Sequence, residues 1–150
     1  MIKIICIGKI KEKFFSQAIL EYQKRISKYT KIEIIELPDY DLDEKSAIRK
    51  ESESILKMLD SKSYVICLDI NGEQLDSVSL SEKINNVLIS NSSITFIIGG
   101  SYGLSDEIKN ISNFRLSFSK MTFPHQLFRV ILLEQIYRSF KIMKNETYHK

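Results

Sequence analysis

The sequence predicts an α/β protein with a mostly parallel sheet carrying helices on both faces. Short apolar runs alternate with longer amphipathic stretches in the order β-α-β-α-β-α-β-α-β-α, the signature of strands linked by crossover helices. The apolar runs are nearly continuous, which suits strands covered on both sides. The length of 150 residues, with two prolines and five glycines, reads as one domain, residues 1–150. A chain of that size buries roughly 70% of its unfolded surface without disulfide or metal staples.

The first strand is Ile2 to Ile7, closed by Gly8. Phe15, Ala18, Ile19, Tyr22, Ile26 and Tyr29 recur every three or four residues through a charged background, so an amphipathic helix is expected from about Glu12 to Tyr29. Ile32 to Leu37 is the second strand, ended by Pro38. Asp43 is placed to cap the next helix, whose apolar stripe is Ile48, Ile55, Leu56 and Leu59. Tyr64 to Asp69 is the third strand. Asn71-Gly72 marks a turn, and because a helical pattern resumes from about Ser81 the turn is read as a crossover loop rather than a hairpin.

The stretch from Thr95 to Arg138 organises the rest: a buried strand ending in Gly99-Gly100, a short helix capped by Ser105, a short strand, a proline-punctuated loop, and one long helix. Its two loops are expected to leave the same ends of neighbouring strands, where open α/β sheets bind ligands. The final helix is apolar nearly all round, from Leu127 to Phe140, and so needs cover on more than one side. A second copy of the chain is the expected cover.

Composition excludes several classes. The net charge of +3 permits a polyanionic partner without demanding one. Lys9, Lys11, Lys13, Lys24, Arg25, Lys28 and Lys31 form the densest basic group, which as a solvated helix face is unremarkable. Cys6 and Cys67 lie inside apolar runs and read as reduced core residues, and with only two histidines no metal-ligand spacing exists. No apolar run approaches a membrane span and the N-terminus lacks a signal-peptide shape, so a cytoplasmic protein is expected.

The glycine loop is not a dinucleotide fingerprint, since it follows the fourth strand and lacks the required spacing, nor a Walker A loop, since no Gly-Lys-Ser/Thr is present. Taken alone it serves equally as a turn into a capped helix. The second loop, Ser119-Lys120-Met121-Thr122-Phe123-Pro124-His125, read alone is a helix start with a surface histidine.

Considered together, Leu68-Asp69, the IGG and GLS of Ile98 to Ser105, the run Leu116 to Ile142 and the terminal Tyr148-His149-Lys150 resemble the RlmH family of SPOUT methyltransferases, over essentially the full length. That resemblance implies a C-terminal trefoil knot, a homodimer, and transfer of a methyl group from S-adenosylmethionine to N3 of a pseudouridine in 23S ribosomal RNA. By the same resemblance Leu68, Gly100, Ser119, Lys120, Met121, Thr122, Phe123 and Pro124 hold the methyl donor. His149 and Tyr148 are the expected catalytic residues, His149 as the base and Tyr148 by stacking on or hydrogen bonding to the target. Lys150, Arg129 and Arg138 are candidate RNA contacts, the two arginines facing either RNA or a partner subunit. The small size and low charge favour the assembled ribosome over free RNA as substrate. A non-catalytic dimeric module binding a nucleotide or metabolite is the competing reading.

Overall fold

A computed structural model describes all 150 residues. Five strands, β1 (Ile2–Ile7), β2 (Ile32–Leu37), β3 (Tyr64–Gln74), β4 (Ile94–Ile98) and β5 (Phe114–Ser117), form one parallel sheet in the order β2-β1-β4-β3-β5. The helices are α1 (Lys13–Ile26), α2 (Glu44–Met58), α3 (Ser77–Ser90), α4 (Asp106–Ile111) and α5 (His125–Met143). The α/β expectation holds, with every strand pair parallel. No helix is long and apolar enough to cross a membrane.

The period of two along each strand divides the core between two layers. Ile2, Ile4, Cys6, Ile66, Ile94, Phe96 and Ile98 pack under α1, α3 and α5, while Ile5, Ile7, Val65, Cys67 and Ile97 pack under α2 and α4. Helix α5 lies against both α1 and α3, whose own residues supply cover for Leu132, Leu133, Ile136 and Phe140. The apolar girth of α5 is therefore met in large part within the chain. Both cysteines are free and buried, as expected.

Local signals account for most boundaries. Asp43 and Ser105 cap α2 and α4 by accepting the amides of Ser46 and Ile108. The stripe foreseen for α1 faces inward, although the helix closes at Ile26 and Tyr29 follows in a turn held to the Ile26 carbonyl. On α2 the inward face is Ala47, Glu51, Ser52 and Ile55, with Ile48, Leu56 and Leu59 only half-buried.

Three expectations are corrected. Strand β3 does not end at Asp69: Leu116 pairs first with Leu68 and again with Glu73, so Asp69 to Gly72 bow out and the strand resumes. Helix α3 begins at Ser77, four residues early, because Asp76 accepts the Ser79 amide and caps it. And β4 and β5 are not neighbours, since β3 runs between them. Gly72 makes the bow possible. A Cβ there would lie 2.6 Å from the Arg115 carbonyl oxygen, backbone that cannot move without unpairing β5. Replacing Gly72 with alanine is therefore expected to destabilise the protein by about 1–3 kcal/mol, read as a lower urea midpoint; an unchanged midpoint would refute this packing.

Candidate functional site

The C-terminal ends of β3, β4 and β5 and the first turn of α5 enclose a cleft. Leu68, Asp69 and Ile70 come from β3, Ile98, Gly99, Gly100 and Gly103 from the β4 end and its loop, Leu116 to Ser119 and Met121 to Phe123 from β5 and its loop, and His125 and Phe128 from α5. Crossovers leave β3 and β4 toward opposite faces of the sheet, the arrangement that opens a ligand crevice. Of the residues expected to hold a methyl donor, Leu68, Gly100, Ser119, Met121, Thr122 and Phe123 line this one cleft. Lys120 and Pro124 sit in the same loop but do not line it, Lys120 being exposed and Pro124 preceding α5 as its N-cap residue.

Backbone geometry makes the cleft shallow-walled on the glycine side. Gly103, at φ +80°, donates its amide to the Gly100 carbonyl at 3.0 Å and closes the loop into a tight turn. A Cβ on Gly99 would lie 2.8 Å from the Gly103 carbonyl carbon, so the turn closes only over a bare backbone. On the opposite side Phe128 meets Phe118 at 5.1 Å and Phe123 at 6.0 Å between ring centroids, an aromatic wall. Ser119 accepts the Met121 amide at 3.0 Å and shapes the second loop, whose Met121 is left largely exposed.

His125 is not the surface histidine its position suggested. Its Cε1 lies 3.0 Å from where a Gly8 Cβ would stand, and its Nδ1 is buried without a partner. Burial, aided by the nearby Arg129 charge, pushes its pKa below the ordinary histidine value. Neighbouring Arg129 is enclosed at 2% exposure. Its Nη1 donates to Glu36 Oε2 at 2.6 Å and its Nη2 to the Gly8 carbonyl at 3.0 Å. Arg129 thus faces neither RNA nor solvent.

The terminal residues lie elsewhere. Tyr148 packs edge-on against Tyr137, donates to Glu134 Oε1 at 3.1 Å, and lies under the Arg138 guanidinium. Arg138 is paired with Glu134 at 2.6 Å and reaches His149 Nδ1 at 3.2 Å. Burial and the Glu134 carboxylate push the Tyr148 hydroxyl up to about 12, so it stays protonated at neutral pH. Lys150 is exposed. The structure brings Tyr148, His149 and Arg138 together but places none of them on the cleft. A second depression between α3 and α5 shares Leu116, Phe118 and Phe123 with the cleft and extends to Gln135 and Asp76, beside the Glu134 cluster. Glu134, Arg138, Tyr148 and His149 do not line this depression.

Sequence reasoning missed Glu51 and Glu134. A single charged residue on an amphipathic helix carries no signal that it points inward. Glu51 is 5% exposed, its Oε2 has no partner, and its carboxylate stands 3.1–3.2 Å from where a Gly100 Cβ would be. Burial, with Asp39 adding to it, raises its pKa above 4.5. The folded state therefore holds this proton to higher pH than the unfolded chain does. The resulting stabilisation is complete below pH 4.5 and is lost as pH rises through the folded value. Glu51→Gln is expected to raise the urea midpoint at pH 8 and to leave it nearly unchanged at pH 4.5; parallel pH profiles for the two proteins would contradict this.

Comparison with known proteins shows the family. The family model described as "Predicted SPOUT methyltransferase" matches residues 1–149. A Methanococcus maripaludis protein named "Putative ribosomal RNA large subunit methyltransferase H" is 58% identical, with 99% of each chain covered. Ribosomal RNA large subunit methyltransferase H proteins of Ruminiclostridium cellulolyticum and Clostridium botulinum are 53% and 52% identical, again over 99% of each chain. Among solved structures, a probable methylase family protein from Haemophilus influenzae Rd KW20 shares the fold, with a TM-score of 0.60 at 15% identity over 99% of this chain and 70% of that one. The chain belongs to the SPOUT methyltransferases and, within them, to the ribosomal RNA large subunit methyltransferase H family.

Proposed function

We propose that the chain methylates N3 of a pseudouridine in 23S ribosomal RNA, with S-adenosylmethionine as methyl donor, acting in the cytoplasm as a homodimer on the assembled ribosome. The observation that carries this reading is the convergence of Leu68, Gly100, Ser119, Met121, Thr122 and Phe123, from separate parts of the chain, on one cleft. That cleft suits a purine nucleoside with a charged tail: bare glycine backbone on one side, Phe118, Phe123 and Phe128 on the other, and Ser117, Ser119 and Thr122 as polar anchors.

The donor supplies an already activated methyl group, so the chain's task is to place the acceptor nitrogen in line and to manage its proton. The Arg138 guanidinium has only donors and therefore donates to His149 Nδ1, leaving the imidazole proton on Nε2. In that state His149 offers a hydrogen bond to the developing imide anion. Released from Arg138, it serves as the base. Tyr148, its hydroxyl proton held by Glu134, offers a ring face to the target base.

Because the tail does not line the cleft of its own subunit, we place the complete site across the homodimer. The trefoil knot belongs to the same reading. From Ser117 at the sheet edge the chain crosses the ends of β3 and β4 to bring His125 against Gly8, just past β1.

Labelled methyl transfer to ribosomes lacking the modification tests this, with free large-subunit RNA alongside and nucleoside analysis to follow. Label in methylpseudouridine on ribosomes alone is expected; efficient methylation of protein-free RNA, or no transfer despite donor binding, goes against it. His149→Ala is expected to slow transfer by roughly 10²–10⁴-fold at unchanged donor affinity. Mixing His149→Ala subunits with Gly100→Val subunits should restore partial activity, and none in a verified heterodimer would sink the shared site.

A further inference from the structure

The segment from Gly8 to Glu12, followed by Lys13 at the start of α1, is held in an unusual way. It has no regular secondary structure before α1, yet its backbone is tied down by side chains from distant elements. Gln126 Oε1 accepts the amides of Lys11 and Glu12 at 2.9 and 3.2 Å, Glu36 Oε2 accepts that of Ile10 at 3.1 Å, and Arg129 donates to the Gly8 carbonyl. Two of these anchors, Gln126 and Arg129, stand on the first turns of α5 beside His125, which lines the cleft. The loop and the cleft share one rigid support.

What this support presents is charge. Lys9, Lys11 and Lys13 are all exposed and none forms an ion pair. Lys11 is close enough to His125 for its charge to reach the imidazole. The one acid among them is Glu12, also exposed. With the amides of Ile10, Lys11 and Glu12 already occupied, the loop has no free edge on which a peptide could add a strand. The exposed ammonium groups are what the loop offers a partner, which suits phosphates read by charge and not by sequence.

We propose that Lys9, Lys11 and Lys13 form a preordered phosphate-binding rim that docks the RNA backbone of the substrate beside the methyl-donor cleft, with Gln126 and Glu36 as the positioning residues that hold it. This rests on the reading of the cleft given above. It also separates these lysines from Lys24, Lys28 and Lys31, which are equally exposed but lie at or beyond the far end of α1.

Two triple variants of equal charge test it: Lys9→Ala/Lys11→Ala/Lys13→Ala, and Lys24→Ala/Lys28→Ala/Lys31→Ala. Affinity for unmodified ribosomes is measured across a salt series, and S-adenosylmethionine affinity by calorimetry. The rim triple is expected to weaken ribosome binding and to flatten the slope of log K against log salt by about 2–3, at about 0.7–0.9 for each phosphate no longer neutralised. Its donor affinity should stay at the wild-type value, and the second triple should bind ribosomes nearly as wild type. Equal weakening by both triples, no weakening by either, or loss of donor binding in the rim triple would overturn the proposal. Gln126→Ala, which keeps every charge, should weaken ribosome binding without changing the slope; wild-type affinity would overturn the preordering. A wild-type protein that binds ribosomes through the rim yet transfers no methyl group would overturn the catalytic reading alone. Methyl transfer by a rim triple indistinguishable from wild type would overturn this one alone.

Discussion

The buried guanidinium of Arg129 is the constraint on which the working end of the molecule depends. It fastens three elements at once: α5, which carries it, β2, which supplies Glu36, and the end of β1, whose Gly8 carbonyl it binds. A charge at 2% exposure is tolerated only when it is paired; Nη1 and Nη2 each reach an acceptor, while Nε has none. Gly8 bends at φ +94° to bring its carbonyl within reach and has no side chain to collide with His125. Moving any of these groups would strand the others. The entrance of α5 is therefore fixed relative to the sheet, and the cleft wall made by His125 and Phe128 is fixed with it.

The parallel sheet explains why such fastening is needed. Its faces are closed by α1, α3 and α5 on one side and α2 and α4 on the other, so only the strand ends remain for chemistry. Besides the aromatic packing of Phe118 and Phe123 on Phe128, the loops there are held by polar side chains acting on backbone: Ser119 on Met121, Asp69 on Asn71, Gln126 on Lys11 and Glu12. Bare glycine at 72 and 99 then lets backbone approach closer than any side chain would allow.

The fold was largely legible in the residues themselves, because continuous apolar runs and three-to-four periodicity are written locally. Glu51 and the bow before Glu73 were not. Both depend on what stands opposite in space, Gly100 in one case and the Arg115 carbonyl in the other. The cleft residues were named by resemblance, and Leu68, Gly100 and Phe123 do meet in one place. Arg129 misled for a physical reason: an arginine on an apolar helix reads as a surface contact unless its counter-charge is known, and Glu36 lies 93 residues away. His125 misled in the same way, its burial coming from Gly8 at the far end of the sequence.

Seen along its length, α5 carries a different duty on each stretch. His125, Gln126, Phe128 and Arg129 serve the cleft and the loop beside it, while Glu134, Tyr137 and Arg138 hold the terminal tyrosine and histidine. A rigid helix is the support that keeps such groups at constant separation, which loops alone cannot do. Its buried face must then satisfy the sheet, α1 and α3 at the same time, and that accounts for a helix apolar on nearly every side yet studded with paired charges. Every polar residue on its inner surface is spent on position: Arg129 on the β1 terminus, Ser139 on its own helix and as the carbonyl acceptor for Ser81. The charges left free for a partner are consequently those the helix holds from behind and does not itself carry.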